Sequence, residues 1–293
     1  MSDQVIPAVV DRRGPVPLSA AATEAALRDA AVASAEAGGR PLASRRPVRL
    51  ALGLALPAAL LVAWQLTTSL GWFTVVQLPS PLMVAQAAVD LFERGLLVKY
   101  LAISTQRVVA GFAIGASLGL LFGALTGLSA TWDRVFGPTL GAIRAVPSLA
   151  WVPLLLLWLK LGEESKVTLI AIGAFFPVCT TVSLALRHVD RQLVEAGRAF
   201  GLSGVRLLTA IQLPAILPSV ISGMRLALAQ SWLFLVAAEL IASSAGLGFL
   251  LTDSQNNGRV DRILLAIVLL AVIGKATDSI LGVAERRALR RWA

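Results

Sequence analysis

The sequence predicts an all-α, polytopic membrane protein with six transmembrane helices. Three observations carry that prediction: a scarcity of charge, six apolar runs of span length, and arginines gathered on one side of them. Only 15% of the 293 residues are charged while 57% are hydrophobic, whereas a soluble domain carries about a quarter charged residues. A bilayer core requires about 20 consecutive apolar residues per helix. Residues 50–70, 108–132 and 167–186 contain no charge, and 135–159 contains only Arg144. The run 216–242 holds Arg225 and Glu239, and 263–283 holds Lys275 and Asp278.

Six crossings put both termini on the same side. That side collects Arg12, Arg13, Arg28, Arg40, Arg45, Arg46 and Arg49 before the first run and Arg134 after the second. It also collects Arg187, Arg191, Arg198 and Arg206 after the fourth, and Arg286, Arg287, Arg290 and Arg291 after the sixth. The other side holds Arg94, Lys99, Lys160, Lys166, Arg259 and Arg262, so the balance is sixteen against six. Basic residues stay cytoplasmic, which predicts cytoplasmic termini. The net charge of +9 is then a matter of topology and needs no nucleic-acid partner.

Taken in order, residues 1–48 read as a cytoplasmic, largely disordered tail, with an Ala-rich stretch at 18–37 stopped by Gly38-Gly39. No signal peptide is visible, and the first span can serve as the insertion signal. Ser80-Pro81 then starts a short helix, Ser as cap and Pro in the first turn. Leu82, Ala85, Val89, Phe92 and Leu96 recur at spacings of three and four, which predicts an amphipathic helix on that stripe, ending at Gly95. It either packs at the membrane interface or receives an external partner. In the second span Gly111, Gly115, Gly119, Gly123 and Gly127 recur every four residues. A strip without side chains lets another backbone approach closely in lipid, belonging either to the same chain or to a second copy. Cys179, the only cysteine, reads as a small core residue.

The stretch 190–214 breaks the apolar pattern with Glu195, Arg198 and Arg206. A first helix from Gln192 is broken by Gly201. Ser203 caps a second, which Pro214 is expected to end. The result is a helical hairpin lying at the membrane face, too polar to insert and too apolar to float free. The domain organisation is thus 1–48 tail, 49–285 transmembrane domain with its 190–214 hairpin, and 286–293 basic C-terminus.

Charges inside spans cost at least ~2.5 kcal/mol each if they face lipid. Arg144, Arg225, Glu239, Lys275 and Asp278 should therefore face the bundle interior or a wet path. One reading pairs Arg144 or Arg225 with Asp278, with Lys275 as an i,i+3 neighbour. The other has an arginine meet an anionic solute. Glu239, just before Ser243-Ser244-Ala245-Gly246, reads as an anchor for the outer loop, or else as part of an external gate.

The hairpin resembles the EAA loop of ATP-binding-cassette importer permeases. The matching residues are Glu195, Ala196, Gly197, Gly201, Ile211, Leu213 and Pro214, with Gly197 standing where that family commonly has a second alanine. Leu78-Pro79-Ser80-Pro81, Arg144-Ala145-Val146-Pro147, Trp151-Val152-Pro153-Leu154 and Ala238-Glu239-Leu240 followed by Gly246-Leu247-Gly248 resemble the nitrate/sulfonate/taurine class of type I importer permeases. The resemblance implies a homodimer of permeases with two ATPase subunits seated on the hairpins. It also implies an extracytoplasmic substrate-binding protein that delivers a small solute, and a place in the bacterial cytoplasmic membrane in contact with lipid. ATP and Mg belong to the partner ATPase, and no cofactor is expected on this chain.

A P-loop needs Gly-x4-Gly-Lys-Ser/Thr. Of the four lysines only Lys275 follows a glycine, and it is followed by Ala276 with Leu269 in the first glycine position. The chain therefore reads as no enzyme. One histidine, His188, and one cysteine make neither a metal site nor a triad. The competing reading is a stand-alone secondary transporter of a small anion, which shows repeats around a central site. No half-length repeat is visible, and such a carrier has no use for the hairpin.

Overall fold

The computed structural model describes residues 46–290 together with Arg28. The predicted tail, with its Ala-rich stretch, falls outside the described residues apart from Arg28 and 46–48. The chain divides into two units, Met1–Ala63 and Trp64–Ala293. The first contributes Arg28 and the opening of helix α1 (Arg46–Ser69). The second holds the end of α1 and everything after it: α2 (Pro81–Glu93), α3 (Leu96–Leu128), α4 (Ala130–Ala145), a 3₁₀ turn (Ser148–Trp151), α5 (Val152–Leu159), α6 (Glu163–Arg187), α7 (Arg191–Ala199), α8 (Gly204–Leu207), a π turn (Leu208–Gln212), α9 (Leu213–Ala242), α10 (Leu247–Asn256) and α11 (Val260–Arg290).

The expected count of six continuous spans is not what the described residues give. Four helices are long and apolar enough to cross a bilayer: Leu96–Leu128, Glu163–Arg187, Gly204–Ile241 and Val260–Arg287. The expected third span is a bent pair, Ala130–Ala145 and Leu149–Leu159, turned by 83°. The break follows from Pro147, whose ring excludes the helical region for the residue before it, and Val146 is accordingly extended at φ −72°, ψ 126°. The apolar helix Ala55–Ser69, within α1, is shorter than a span.

The second unit is organised by the glycine strip, which packs within this chain. A methyl on Gly115 would lie 2.2 Å from the Ala171 carbonyl oxygen, on Gly119 2.8 Å from that of Phe175, and on Gly123 2.8 Å from that of Cys179. Helix α3 therefore lies backbone-to-backbone along α6, the two running parallel, since Gly111 meets Ile170 and Gly127 meets Leu186. Helix α9 returns antiparallel on the other face of α6, laying the Phe234 ring on Gly173 and bringing Gly223 against Thr181. Two apolar clusters fill these contacts. One is built around Val108, Leu169, Ile170 and Leu235, the other around Ala174, Val178, Val182, Ile216 and Val220. In lipid such packing is held by van der Waals contact and polar links rather than by a hydrophobic driving force between helices.

Helix α2 runs where the sequence places it, but its predicted apolar stripe is not what carries the packing. Ser80 does cap it, its hydroxyl accepting from the Met83 amide at 3.4 Å, and Gly95 ends it at φ +69°. The predicted stripe, however, is the outward one: Leu82, Val89 and Phe92 are exposed. The helix packs instead through Val84, Ala87 and Leu91, against Leu250, Leu265 and Ala266. A helix with apolar residues on nearly all sides does not reveal its inner face by periodicity.

Candidate functional sites: a hairpin and the charges inside the spans

At one end of the bundle, α7 and α8 form the hairpin. Asp190 caps α7 by accepting from the Gln192 amide at 2.8 Å. Gly201 sits at φ +78°, and the chain closes a Schellman turn there: Leu202 N–H donates to the Gly197 carbonyl at 3.0 Å and Gly201 N–H to Arg198 at 2.9 Å. Only glycine takes that conformation without strain. Gly197 is buried where α7 crosses the next segment, and a methyl on it would approach Leu207 Cδ1 to 2.7 Å and Ile211 Cγ1 to 3.2 Å. Its outer neighbours are accessible. Phe200 at the tip is 87% exposed and Val205 75%, while Glu195 reaches Arg191 at 2.7 Å on the surface.

Pro214 does not end the second hairpin helix. Leu213 N–H bonds back five residues to Leu208, a π turn, and Pro214 then occupies the first turn of α9, where a missing N–H costs nothing. Ile211 and Leu213 lie on this joint. The second arm of the hairpin and the fifth apolar run thus form one helical run, Gly204–Ile241.

At the opposite end lies a buried ion cluster. Glu239 is 1% exposed. It accepts from Arg107 at 2.7 Å, from the Ser104 hydroxyl at 2.8 Å and from the Gly248 amide at 2.7 Å. Arg107 also donates to both oxygens of Glu163 at 2.6 Å, to the Ser243 hydroxyl at 3.0 Å and to the Ala245 carbonyl at 2.7 Å. Lys166 reaches Glu163 at 3.0 Å. The loop after α9 closes over Glu239, and a methyl on Gly246, at φ +127°, would fall 2.3 Å from its Oε1. Every lone pair of a desolvated carboxylate needs such partners. Hydropathy alone does not reveal Arg107, Ser104 or Glu163, because the uncharged runs begin at Val108 and Val167 whereas the helices begin at Leu96 and Glu163.

Towards the hairpin end, Arg225 pairs with Asp278 through two bonds of 2.8 and 3.0 Å and with Glu285 at 3.1 Å. Lys275 lies 3.6 Å from Asp278. Arg144 is not part of that group. It lies at the last turn of α4 and donates to the Thr180 hydroxyl on α6 at 3.0 Å. Arg187 at the end of α6 pairs with Asp133 and donates to the Thr126 carbonyl at 3.1 Å, tying α6 to α3 and α4.

Parallel and antiparallel membrane helices, a bent span and a polar helical hairpin between the fourth and fifth apolar runs define the class: the transmembrane component of a type I ATP-binding-cassette importer. A solved chain of the MetNI methionine ABC transporter, in an inward-facing form, shares this fold. Its TM-score is 0.54 at 19% identity, covering 71% of this chain and 98% of that one. The sequence matches the family described as binding-protein-dependent transport system inner membrane component over residues 115–290. It is 38% identical over 238 residues to SsuC of Bacillus subtilis, a permease protein named for aliphatic sulfonate transport, covering 81% of this chain and 86% of the relative. It is 31% identical over 252 residues to the taurine transport system permease protein TauC of Escherichia coli, covering 84% and 90%. The chain belongs to this family of binding-protein-dependent inner-membrane transport components, so it is a multi-pass membrane permease and not a free-standing carrier.

Proposed function

We propose that this chain imports a small solute, an aliphatic sulfonate, taurine or nitrate, as one half of a permease homodimer. Two ATPase subunits bind its 190–214 hairpins, and an extracytoplasmic binding protein delivers the solute. ATP and Mg are held by the ATPase, and no cofactor is bound by this chain. The hairpin side, with Arg187, Arg191, Arg198, Arg206, Arg286 and Arg287, faces the cytoplasm, as do both termini, because basic residues resist translocation.

The observation that carries this reading is the construction of the hairpin. Its exposed apolar tip, Phe200 and Val205, suits a protein socket, and a left-handed glycine at 201 fixes the tip's shape. Glu195 and Ala196 present the outer face of α7, while Gly197, Ile211, Leu213 and Pro214 seat the hairpin on α9. A closing motor needs such a stiff element to push against. Arg225, Lys275 and Asp278 are read as an ion pair holding α9 to α11, and Glu239 as the anchor of the loop that follows α9.

Gly201→Asp tests the reading in the complete importer, reconstituted in vesicles with its ATPase and binding protein. The variant strains the turn and adds charge at the tip, so ATP hydrolysis should no longer drive solute uptake although the permease is inserted in normal amount. Wild-type uptake in that variant would sink the assignment.

A further inference from the structure

Resting on that transport reading, we propose that the groove around Arg144 binds the oxyanion headgroup of the solute as it crosses. Within the span interiors most cations have carboxylate partners. Arg107 is answered by Glu163 and Glu239, Lys166 by Glu163, Arg225 by Asp278 and Glu285, and Lys275 by Asp278. Arg144 bonds to a neutral hydroxyl, Thr180, and among the described residues no carboxylate pairs with it. A guanidinium stays charged at any accessible pH. One placed within a membrane domain without a counter-ion of its own is ready for a counter-ion that comes and goes.

The space beside it is suitable. Two grooves, of about 300 Å³ and about 360 Å³, share Arg144, Phe176 and Thr180 in their linings. Both volumes fall in the range of small-ligand sites. The first also contains Asp133, but that carboxylate is taken by Arg187. The second, lined further by Gly173, Gln230 and Phe234, has no acidic residue. Both are therefore electropositive. The backbone agrees with this placement: α4 stops at Ala145 and turns by 83°, and irregular backbone at membrane depth is tolerated where it lines a cavity.

The chemistry then selects a ligand class. A guanidinium fork meets two oxygens of an oxyanion at once. The Thr180 hydroxyl and Gln230 amide supply neutral donors, and Phe176 and Phe234 accept a short carbon chain. Sulfonate and nitrate share the headgroup chemistry. A single charge among neutral groups holds the solute without trapping it.

The test uses the complete importer in vesicles, with ATP inside, and measures uptake of two probes separately, ethanesulfonate and nitrate. Wild type should move at least one, and which one tells a sulfonate carrier from a nitrate carrier. Arg144→Gln should lower that uptake at least tenfold with the complex assembled in normal yield, and Arg144→Lys should retain more than Arg144→Gln. Gln230→Glu, nearly isosteric, gives Arg144 a permanent carboxylate and should also lower uptake at least tenfold. If Arg144→Gln fails to assemble, Gln230→Glu decides. Unchanged uptake in either assembled variant overturns the site. Wild-type import of ethanesulfonate or nitrate that is indifferent to Arg144→Gln in the assembled complex overturns it while leaving the transport reading intact. Failure of wild type to import any solute with ATP and binding protein removes the transport reading and this site together.

Discussion

Arg107 and Arg144 are the same residue in two regions of one bundle, and their surroundings are opposite. Arg107 is 5% exposed and spends its donors on two carboxylates, a hydroxyl and a carbonyl. Arg144 lines two open grooves and meets one hydroxyl. The difference shows how a membrane protein separates charge used for architecture from charge left available. Architecture closes its hydrogen bonds internally, because an unpaired ion in a dry interior is expensive. An available charge must sit where water or a solute can complete it.

That contrast can be broken most severely at Arg107. Arg107→Leu strands Glu239 in a dry interior, and removing one partner of a buried pair costs about 3–5 kcal/mol. The variant should fail to accumulate, or should lose most of its thermal stability in detergent, as read by fluorescence-detected size-exclusion after heating. A middle case sharpens the comparison. Asp278→Asn removes the main partner of Arg225, but Glu285 remains 3.1 Å away and the site is partly open, so the loss in melting temperature should be clearly smaller than for Arg107→Leu.

The smallest effect belongs to the surface pair network of α2. Asp90 accepts from Arg94 at 2.7 Å and from Arg262 at 2.9 Å. The Arg94 hydrogen bond, opposed by partial desolvation, holds its carboxyl below the ordinary 3.8. A carboxylate with a lowered folded pKa stabilises above its unfolded pKa, and the benefit fades as pH falls through the folded value. Asp90→Asn should therefore melt slightly below wild type at neutral pH, with the gap closing below about pH 4. A gap that persists unchanged in acid would mean the ion pairs contribute nothing.

Much of the hairpin could be read directly from residues. Gly201 has one conformational preference and the structure follows it, whereas Ser203 precedes α8 without the expected side-chain capping bond. The glycine strip was equally plain as a packing face, but its partner was not, because a strip of bare backbone fits any smooth helix. What escaped was non-local. Arg107 looks like a flank when hydropathy alone defines the span, and nothing near it in sequence announces Glu163 or Glu239. The bend at Val146-Pro147 was signalled by the proline but outweighed by the length of the apolar run. Pro214 looked like a stop because a π turn, which absorbs it, has no sequence signature.

The π turn has a further consequence. Gly204–Ile241 is one run of 38 residues, which at about 1.5 Å per residue is close to 57 Å long. Glu239 lies at one tip of this shaft and the joint beneath Phe200 at the other. The π turn, Pro214 and Pro218 near the base of the shaft are the places at which such a helix bends. The far tip is tied instead to α3, where Ser104 and Arg107 both donate to Glu239.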